Sequence, residues 1–127
     1  MADDPRFAKF AYQFNVDGDY FECHELMEEL WLEEGRHPLL QGLLQAAVGL
    51  HHWNNGNRAG AVKLMEQAQR KLTGYPAVVL GLDLDDLRSR LEESLAVLRE
   101  NPSSAPFEGF LLKIVDAGLV DRIGGTL

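Results

Sequence analysis

One short segment of this chain carries more ionisable side chains than the packing of a helix requires. Between Asp19 and Trp31 the sequence reads Asp-Tyr-Phe-Glu-Cys-His-Glu-Leu-Met-Glu-Glu-Leu-Trp. Imidazole and carboxylate groups are common general bases and ligands of divalent metals. At about 100° per residue, His24 and Glu28 lie one above the other at the border of the apolar helix face. A polar group at this border can be half-buried and still reach a cavity.

The spacing His24-Glu25-x-x-Glu28 is similar to the helical zinc-protease motif His-Glu-x-x-His, with a glutamate in place of the second histidine. A complete metal site would therefore need a ligand from a neighbouring helix. Such a mixed set of nitrogen and oxygen ligands suits zinc, iron, manganese or nickel, so a divalent metal is a candidate cofactor. The candidate metal ligands are His24, Glu28 and His52, with Gln45 or His51 beside them.

The same residues have two interpretations that need no metal. In the first, a glutamate orients His24 and Gln45 pairs with His52, because buried polar groups must be hydrogen-bonded. In the second, Glu28 tunes His24 as a general base near neutral pH. No nucleophile supports the second interpretation, since Cys23 is expected on the core side of the helix. The residues alone leave a structural network, a binding pocket and a catalytic site open.

The helices that must position these residues are predicted from apolar periodicity and from capping residues. Five of them span about residues 5–15, 20–33, 39–53, 57–73 and 84–100. Asp19, Asn57 and Asp83 are the predicted N-caps of the second, fourth and fifth helices. A sixth, short helix is expected over residues 107–115, although a strand is an alternative there.

The third helix is apolar around most of its circumference and carries one narrow polar stripe. The stripe consists of Gln41, Gln45 and His52. Gly42 and Gly49 lie beside it, and a helical glycine costs about 1 kcal/mol relative to alanine, so another backbone or a ligand is expected to approach there. A short antiparallel connection would set this stripe alongside His24 and Glu28 on the second helix.

Composition and charge exclude several classes of partner. Acidic residues outnumber basic ones by 20 to 12, giving a formal charge of -8, so nucleic acid is not an expected partner. The single cysteine, Cys23, rules out an internal disulfide framework. The first five residues lack the order of a secretory signal, and no apolar run reaches the roughly 20 residues of a membrane helix. We therefore expect a soluble, cytoplasmic protein with no membrane partner.

Three blocks of sequence resemble the bacterial and archaeal family called domain of unknown function 309. The blocks are Phe21-Glu22-x-His24-Glu25-x-x-Glu28-x-x-Trp31, the run from Gln41 to Ala47, and His52 followed by Gly56-Asn57-x-x-Gly60-Ala61. The resemblance runs from about residue 14 to residue 98, and it implies a small all-α bundle in the cytoplasm with no established activity. The family's motif positions are occupied by His24, Glu25, Glu28, Trp31, Gln45, His52 and Asn57.

A weak internal repeat is also present, at an offset of 38 residues. Gly18-Asp19 and the later Leu-Met-Glu of the second helix match Gly56-Asn57 and the Leu-Met-Glu of the fourth. Helical hairpins of this period are typical of tetratricopeptide-like arrays. Val62 occupies the place of His24 in the second copy, so any chemistry belongs to the first.

We predict an all-α protein of five or six helices packed as antiparallel hairpins. Residues 1–100 are expected to form the helical bundle, and residues 101–127 a linker and apolar tail that docks on the bundle or on a second subunit of a homodimer.

Three functions are compatible with this scaffold, and whether the protein is an enzyme is left open. The first hypothesis is a half-buried pocket that binds a metal ion or a small polar ligand. The second is a tetratricopeptide-like module that binds a protein partner, with the polar cluster purely structural. The third is a metal-dependent hydrolase. The expected pocket residues are His24, Glu25, Glu28, Trp31, Gln45 and His52.

Overall fold

Six α-helices dominate the part of the chain that the computed structural model describes, which is residues 4–124, with side chains for residues 4–121. They are α1 Pro5–Tyr12, α2 Tyr20–Glu33, α3 Pro38–Asn54, α4 Arg58–Leu72, α5 Leu84–Glu100 and α6 Ala117–Gly124. An antiparallel hairpin of β1 Val78–Val79 and β2 Leu82–Asp83 connects α4 to α5. The predicted all-α class is confirmed. Residues 1–3 of the predicted bundle segment and residues 125–127 of the predicted tail lie outside the described range.

The helix starts are set by local sequence, as predicted. At α2, α4 and α5 a side-chain oxygen of the cap accepts a backbone N–H of the first turn that would otherwise be unpaired. Gly18 and Gly56 precede two of these caps with φ of 61° and 81°, so the internal repeat marks two equivalent helix starts. The capping bonds join Asp19 to Glu22, Asn57 to Gly60 and Asp83 to Asp86, at 3.1, 2.9 and 2.9 Å.

Helix α3 is the central element, because it packs along α2 on one side and along α4 on the other. The two glycines of α3 face α4. A Cβ atom at Gly42 would lie 2.7 Å from Cδ2 of Leu72, and one at Gly49 would lie 2.8 Å from Cγ of Met65. A close approach is therefore found, but its nearest groups are side chains of α4 rather than the expected backbone or ligand; at Gly49 backbone atoms of α4 follow at 3.5 Å. The pairing of these residues also shows that α3 and α4 are antiparallel.

The core is one continuous apolar cluster to which all six helices contribute. Three phenylalanines at the amino-terminal end form a chain of ring contacts, and the ring of Phe14 meets that of Tyr20 edge-on at 5.4 Å. Cys23 is fully buried in this cluster, and its thiol donates to the carbonyl oxygen of Phe10 at 3.5 Å. Burial raises the pKa of the Cys23 thiol, so the group is held in its unreactive protonated form.

The sixth predicted helix, over residues 107–115, is wrong. This segment forms no helix, and Ile114 forms an antiparallel bridge with Leu82 of β2. The N–H of Val115 donates to the carbonyl oxygen of Gly81 at 2.9 Å. The segment thus finds its backbone partners in the hairpin rather than within itself, and its β-branched residues favour an extended conformation. The strand alternative is nearer to the observed structure, and α6 follows it.

The side chain of Asn15 joins the segment after α5 to the beginning of the chain. Its Nδ2 donates to the carbonyl oxygen of Leu112 at 2.9 Å, and the N–H of Leu112 donates to its Oδ1 at 2.8 Å. Asn15 lies in a π-helical turn, Gln13–Asp17, that continues α1. Helix α6 packs against α1 as well, so both contacts connect the two ends of the described chain.

Within the described residues, no helix has both the length and the apolar character that crossing a membrane requires.

Candidate functional site

A cleft between α2 and α3 brings three histidines together. Its cavity of about 180 Å³ is lined by Phe21, His24, Val48, His51 and His52. The ring of Phe21 lies 6.2 Å from that of His24 and 5.7 Å from that of His51, between centroids. A closed apolar cavity of about 150 Å³ accommodates benzene, so this space suits a molecule of roughly one ring.

His24 connects the cleft to the acidic surface of α2. Its Nε2 lies 3.0 Å from Oε2 of Glu28, and its Nδ1 lies 3.6 Å from Oε1 of Glu25. The predicted stacking of His24 on Glu28 is confirmed. Because a carboxylate can only accept a hydrogen bond, this contact favours the tautomer of His24 that carries a proton on Nε2. The two glutamates therefore orient the ring at the mouth of the cleft.

His51 and His52 are held from the other side, by asparagines of the α3–α4 turn. Nδ2 of Asn55 lies 3.3 Å from Nδ1 of His51, and Nδ2 of Asn57 lies 3.4 Å from Nδ1 of His52. Burial, with the neighbouring His51 as a second cause, lowers the pKa of His52 below its ordinary value. The structure therefore favours the neutral form of the His52 ring.

Gly60 leaves the space that the Asn57 amide occupies. A Cβ atom at Gly60 would lie 2.6 Å from Nδ2 of Asn57, the same atom that faces His52. A side chain at this position would push the amide away from both its capping bond and the histidine. The absence of a side chain at Gly60 therefore allows Asn57 to cap α4 and to contact His52 in the cleft at the same time.

Two of the predicted site residues lie away from the cleft. Gln45 is 9% exposed and its Nε2 donates to Oε1 of Gln67 on α4 at 3.1 Å, rather than pairing with His52. The polar stripe of α3 runs along the helix edge between α2 and α4, so its members can turn to either neighbour. Trp31 is half-buried near the end of α2, where the guanidinium of Arg36 lies 5.8 Å from its ring centroid. Whether either residue contributes to binding stays a prediction.

The tentative metal ligands are not assembled as a three-residue set. Among residues 4–121 no group of three or more His, Cys, Asp or Glu side chains is arranged to hold a metal ion. The surroundings of His51 and His52 also have the wrong polarity for such a site. A histidine that binds a metal through one nitrogen usually donates its other N–H to an oxygen, whereas here Nδ1 of each ring faces an amide N–H group.

A second cavity, of about 210 Å³, lies between the end of α3, α5 and the segment that contains Gly109. Arg90 and Glu93 line it, but their side chains form an ion pair with each other at 3.1 Å. Nε of Arg90 is nevertheless buried without a hydrogen-bond partner. The cleft between α2 and α3 is the stronger candidate site because it brings together three histidines, two of which the sequence predicts as site residues.

Sequence reasoning missed part of the cleft. Val48 and Asn55 are not among the residues that the sequence predicts for this site. A signal for the second was present, because a histidine is followed by an asparagine one helical turn later at the end of α3. Helical periodicity does not predict the contact between His52 and Asn57, because the two residues lie on opposite sides of the turn after α3.

Comparison with known proteins agrees with the resemblance seen in the motifs. Residues 7–64 match the model of the family described as "Domain of unknown function (DUF309)". The match begins earlier and ends earlier than the expected range of 14 to 98, and it contains α2, α3 and the cleft.

Two curated proteins are similar to the chain. The uncharacterized protein YpuF of Bacillus subtilis (strain 168) is 34% identical over 113 residues, which are 87% of this chain and 64% of that protein. An uncharacterized protein of Aquifex aeolicus (strain VF5) is 32% identical over 87 residues, which are 66% of this chain and 26% of that protein. The chain thus spans less than two thirds of either relative.

Proposed function

Because residues 7–64 belong to the domain of unknown function 309 family, whose description assigns no activity, we propose a function from the geometry of the cleft alone. The protein binds a small organic molecule, of about the size of one ring, between α2 and α3. The observation that supports this proposal is the convergence of five side chains from two helices on one cavity of about 180 Å³.

The chemistry of the walls suits such a ligand. Binding sites for small molecules are mostly apolar, with a few polar groups that fix the orientation of the ligand. Phe21 and Val48 supply the apolar contacts, and the three imidazoles supply the polar ones. Of the predicted pocket residues, His24 and His52 line the cavity, and Glu25 and Glu28 orient His24. A metal-dependent hydrolase has less support, because residues 4–121 do not assemble its ligand set.

The proposal is tested by titrating the isotope-labelled protein with three single-ring probes, toluene, benzamide and benzylamine, and following the side-chain NMR signals of the cleft. We expect at least one probe to shift the signals of Phe21 and Val48. Val48→Phe fills the cavity and should abolish these shifts. Val16→Phe makes the same change at a residue that is 51% exposed and outside the cleft, so it should leave binding intact.

If no probe shifts the cleft signals, the proposed function fails. The same conclusion follows if Val48→Phe and Val16→Phe bind the probes equally well, because binding would then occur elsewhere.

A second candidate function, the binding of a protein partner, is favoured by the outer face of α2. Phe21 and Leu32 are 54% and 48% exposed, and their spacing of eleven residues places them on the same side of the helix. Glu25 and Glu28 lie between them, so this face suits a helix that is apolar and basic. A photo-crosslinker at Leu32 should then capture one defined protein in cells, and the same group at the exposed Glu92 of α5 should not.

A further inference from the structure

The orientation of the Asn57 side chain is fixed by the helix that it caps. Its Oδ1 accepts the N–H of Gly60 at 2.9 Å, and only the oxygen of an amide can accept this bond. The amide nitrogen must therefore be the atom that faces Nδ1 of His52 at 3.4 Å.

The orientation of the Asn55 side chain is fixed in the same way by a backbone group. Its Nδ2 donates to the carbonyl oxygen of His51 at 2.7 Å, and only the amide nitrogen can donate this bond. The same nitrogen lies 3.3 Å from Nδ1 of the His51 ring.

These two contacts determine where the ring protons lie. An amide nitrogen donates hydrogen bonds and does not accept them, so Nδ1 of each facing imidazole must be unprotonated. A neutral imidazole has one N–H group, and in His51 and His52 it must therefore be on Nε2. In the described part of the chain, neither Nε2 atom takes part in a hydrogen bond, and both rings line the cavity. Each ring thus has one N–H donor available to a molecule in the cleft.

The charge of the surroundings restricts the ligand further. Glu25 and Glu28 flank His24 at the mouth of the cleft, and the chain has a formal charge of -8, so an anion is disfavoured. We propose, building on the function proposed above, that the ligand is an uncharged single-ring compound that accepts hydrogen bonds from His51 and His52 through a carbonyl oxygen or a ring nitrogen.

The first test is direct and needs no ligand. The ¹⁵N chemical shifts of the histidine side chains distinguish a protonated from an unprotonated ring nitrogen. At pH 8 we expect Nδ1 of both His51 and His52 to be unprotonated and Nε2 to carry the proton. A proton on Nδ1 of both rings in the native protein would overturn the inference.

The variant Asn57→Asp replaces the amide nitrogen that faces His52 with an oxygen, while it preserves the oxygen that caps α4. Aspartate and asparagine are equally good N-caps, so the bond to Gly60 is retained. The second carboxylate oxygen now faces Nδ1 of His52 and requires a proton there. We expect the ¹⁵N spectrum to show a protonated Nδ1 in this variant. Asn57→Ser keeps a capping oxygen but offers His52 no partner, so it reports the effect of losing the amide alone.

The probe series separates this inference from the proposed function. We expect benzamide to bind about fivefold more tightly than toluene, because one net hydrogen bond is worth roughly 1 kcal/mol. This preference for benzamide over toluene should be smaller in Asn57→Asp than in Asn57→Ser. Equal binding of toluene and benzamide would overturn the inference and leave the proposed function standing, as would a preference for benzylamine. Binding of no probe would overturn the proposed function itself.

Discussion

At the scale of single residues, Asn57 connects two parts of the molecule that are usually independent. Its side chain caps α4 through Gly60 and contacts the His52 ring in the cleft. The position of a catalytic or binding histidine is often set by a carboxylate, but here it is set by a capping amide. A change that removes the Asn57 amide nitrogen therefore alters the protonation pattern of the cleft, and one that also removes the side-chain oxygen alters the start of α4 as well.

The pH dependence of stability is a prediction at this scale. The folded protein holds the pKa of His52 below its ordinary value, so the unfolded chain binds this proton more readily. The contribution of His52 is fully present above about pH 6.5, the ordinary pKa of histidine, and is lost as pH falls through its folded pKa. Urea unfolding of the native protein and of His52→Gln should therefore show a difference in unfolding free energy that shrinks between pH 7.5 and pH 5. A difference that grows towards low pH would contradict this.

The residues of the site differ in how far sequence alone could place them. His24 and Glu28 share one helix, so helical periodicity fixes their contact before anything else is known. The partner of Gln45 depends on which neighbouring helix its side chain turns towards, and the sequence contains no such information. It was expected opposite α2 and lies against Gln67 of α4.

At the scale of the elements, the contact between α3 and α4 depends on the absence of side chains at two positions of α3. Gly49 is the simpler test of this contact, because a Cβ atom there would meet a single side chain, that of Met65, at less than 3 Å. The local cost of glycine in a helix is offset by the closer packing that it allows.

The variant Gly49→Val should destabilise the protein by about 1–3 kcal/mol, the usual cost of overpacking a core. The double variant with Met65→Ala removes the side chain that the new valine would meet. Its unfolding free energy should exceed the value expected if the two single changes were additive. Thermal or urea unfolding of the native protein, the two single variants and the double variant measures this coupling. Strict additivity would show that the new valine does not clash with the Met65 side chain.

An element is easier to predict from the sequence when the residues that stabilise it are close together in the sequence. Helices α2 to α5 begin where Asp19, His37, Asn57 and Asp83 supply caps, and three of these caps were read directly from the sequence. Residues 107–115 have a pattern that fits a helix, but Ile114 near their end pairs with Leu82 of β2, about thirty residues earlier. A pairing at that distance overrides local preference and cannot be seen in a window of one helix.

At the scale of the whole molecule, the segment after α5 is connected to α1 by one bidentate side chain. Asn15→Ala would leave both backbone groups of Leu112 without their partner, at a cost of about 1–3 kcal/mol. Hydrogen exchange should become faster in residues 111–116 and in α6, while α3 and α4 keep their protection. Asn15→Asp retains the acceptor for the Leu112 N–H and should have a smaller effect. Unchanged exchange in Asn15→Ala would show that the apolar contacts of the segment suffice.

The Asn15–Leu112 contact also bears on the order in which the chain folds. Each of the helices α1 to α4 packs on the next helix in the sequence, so most of the bundle forms through contacts between neighbouring elements, which are the fastest to close. The bond from Asn15 to Leu112 joins groups 97 residues apart, so we expect it to form after the five helices have packed. We therefore regard it as the last step of folding, and as the first to open when the native protein begins to unfold.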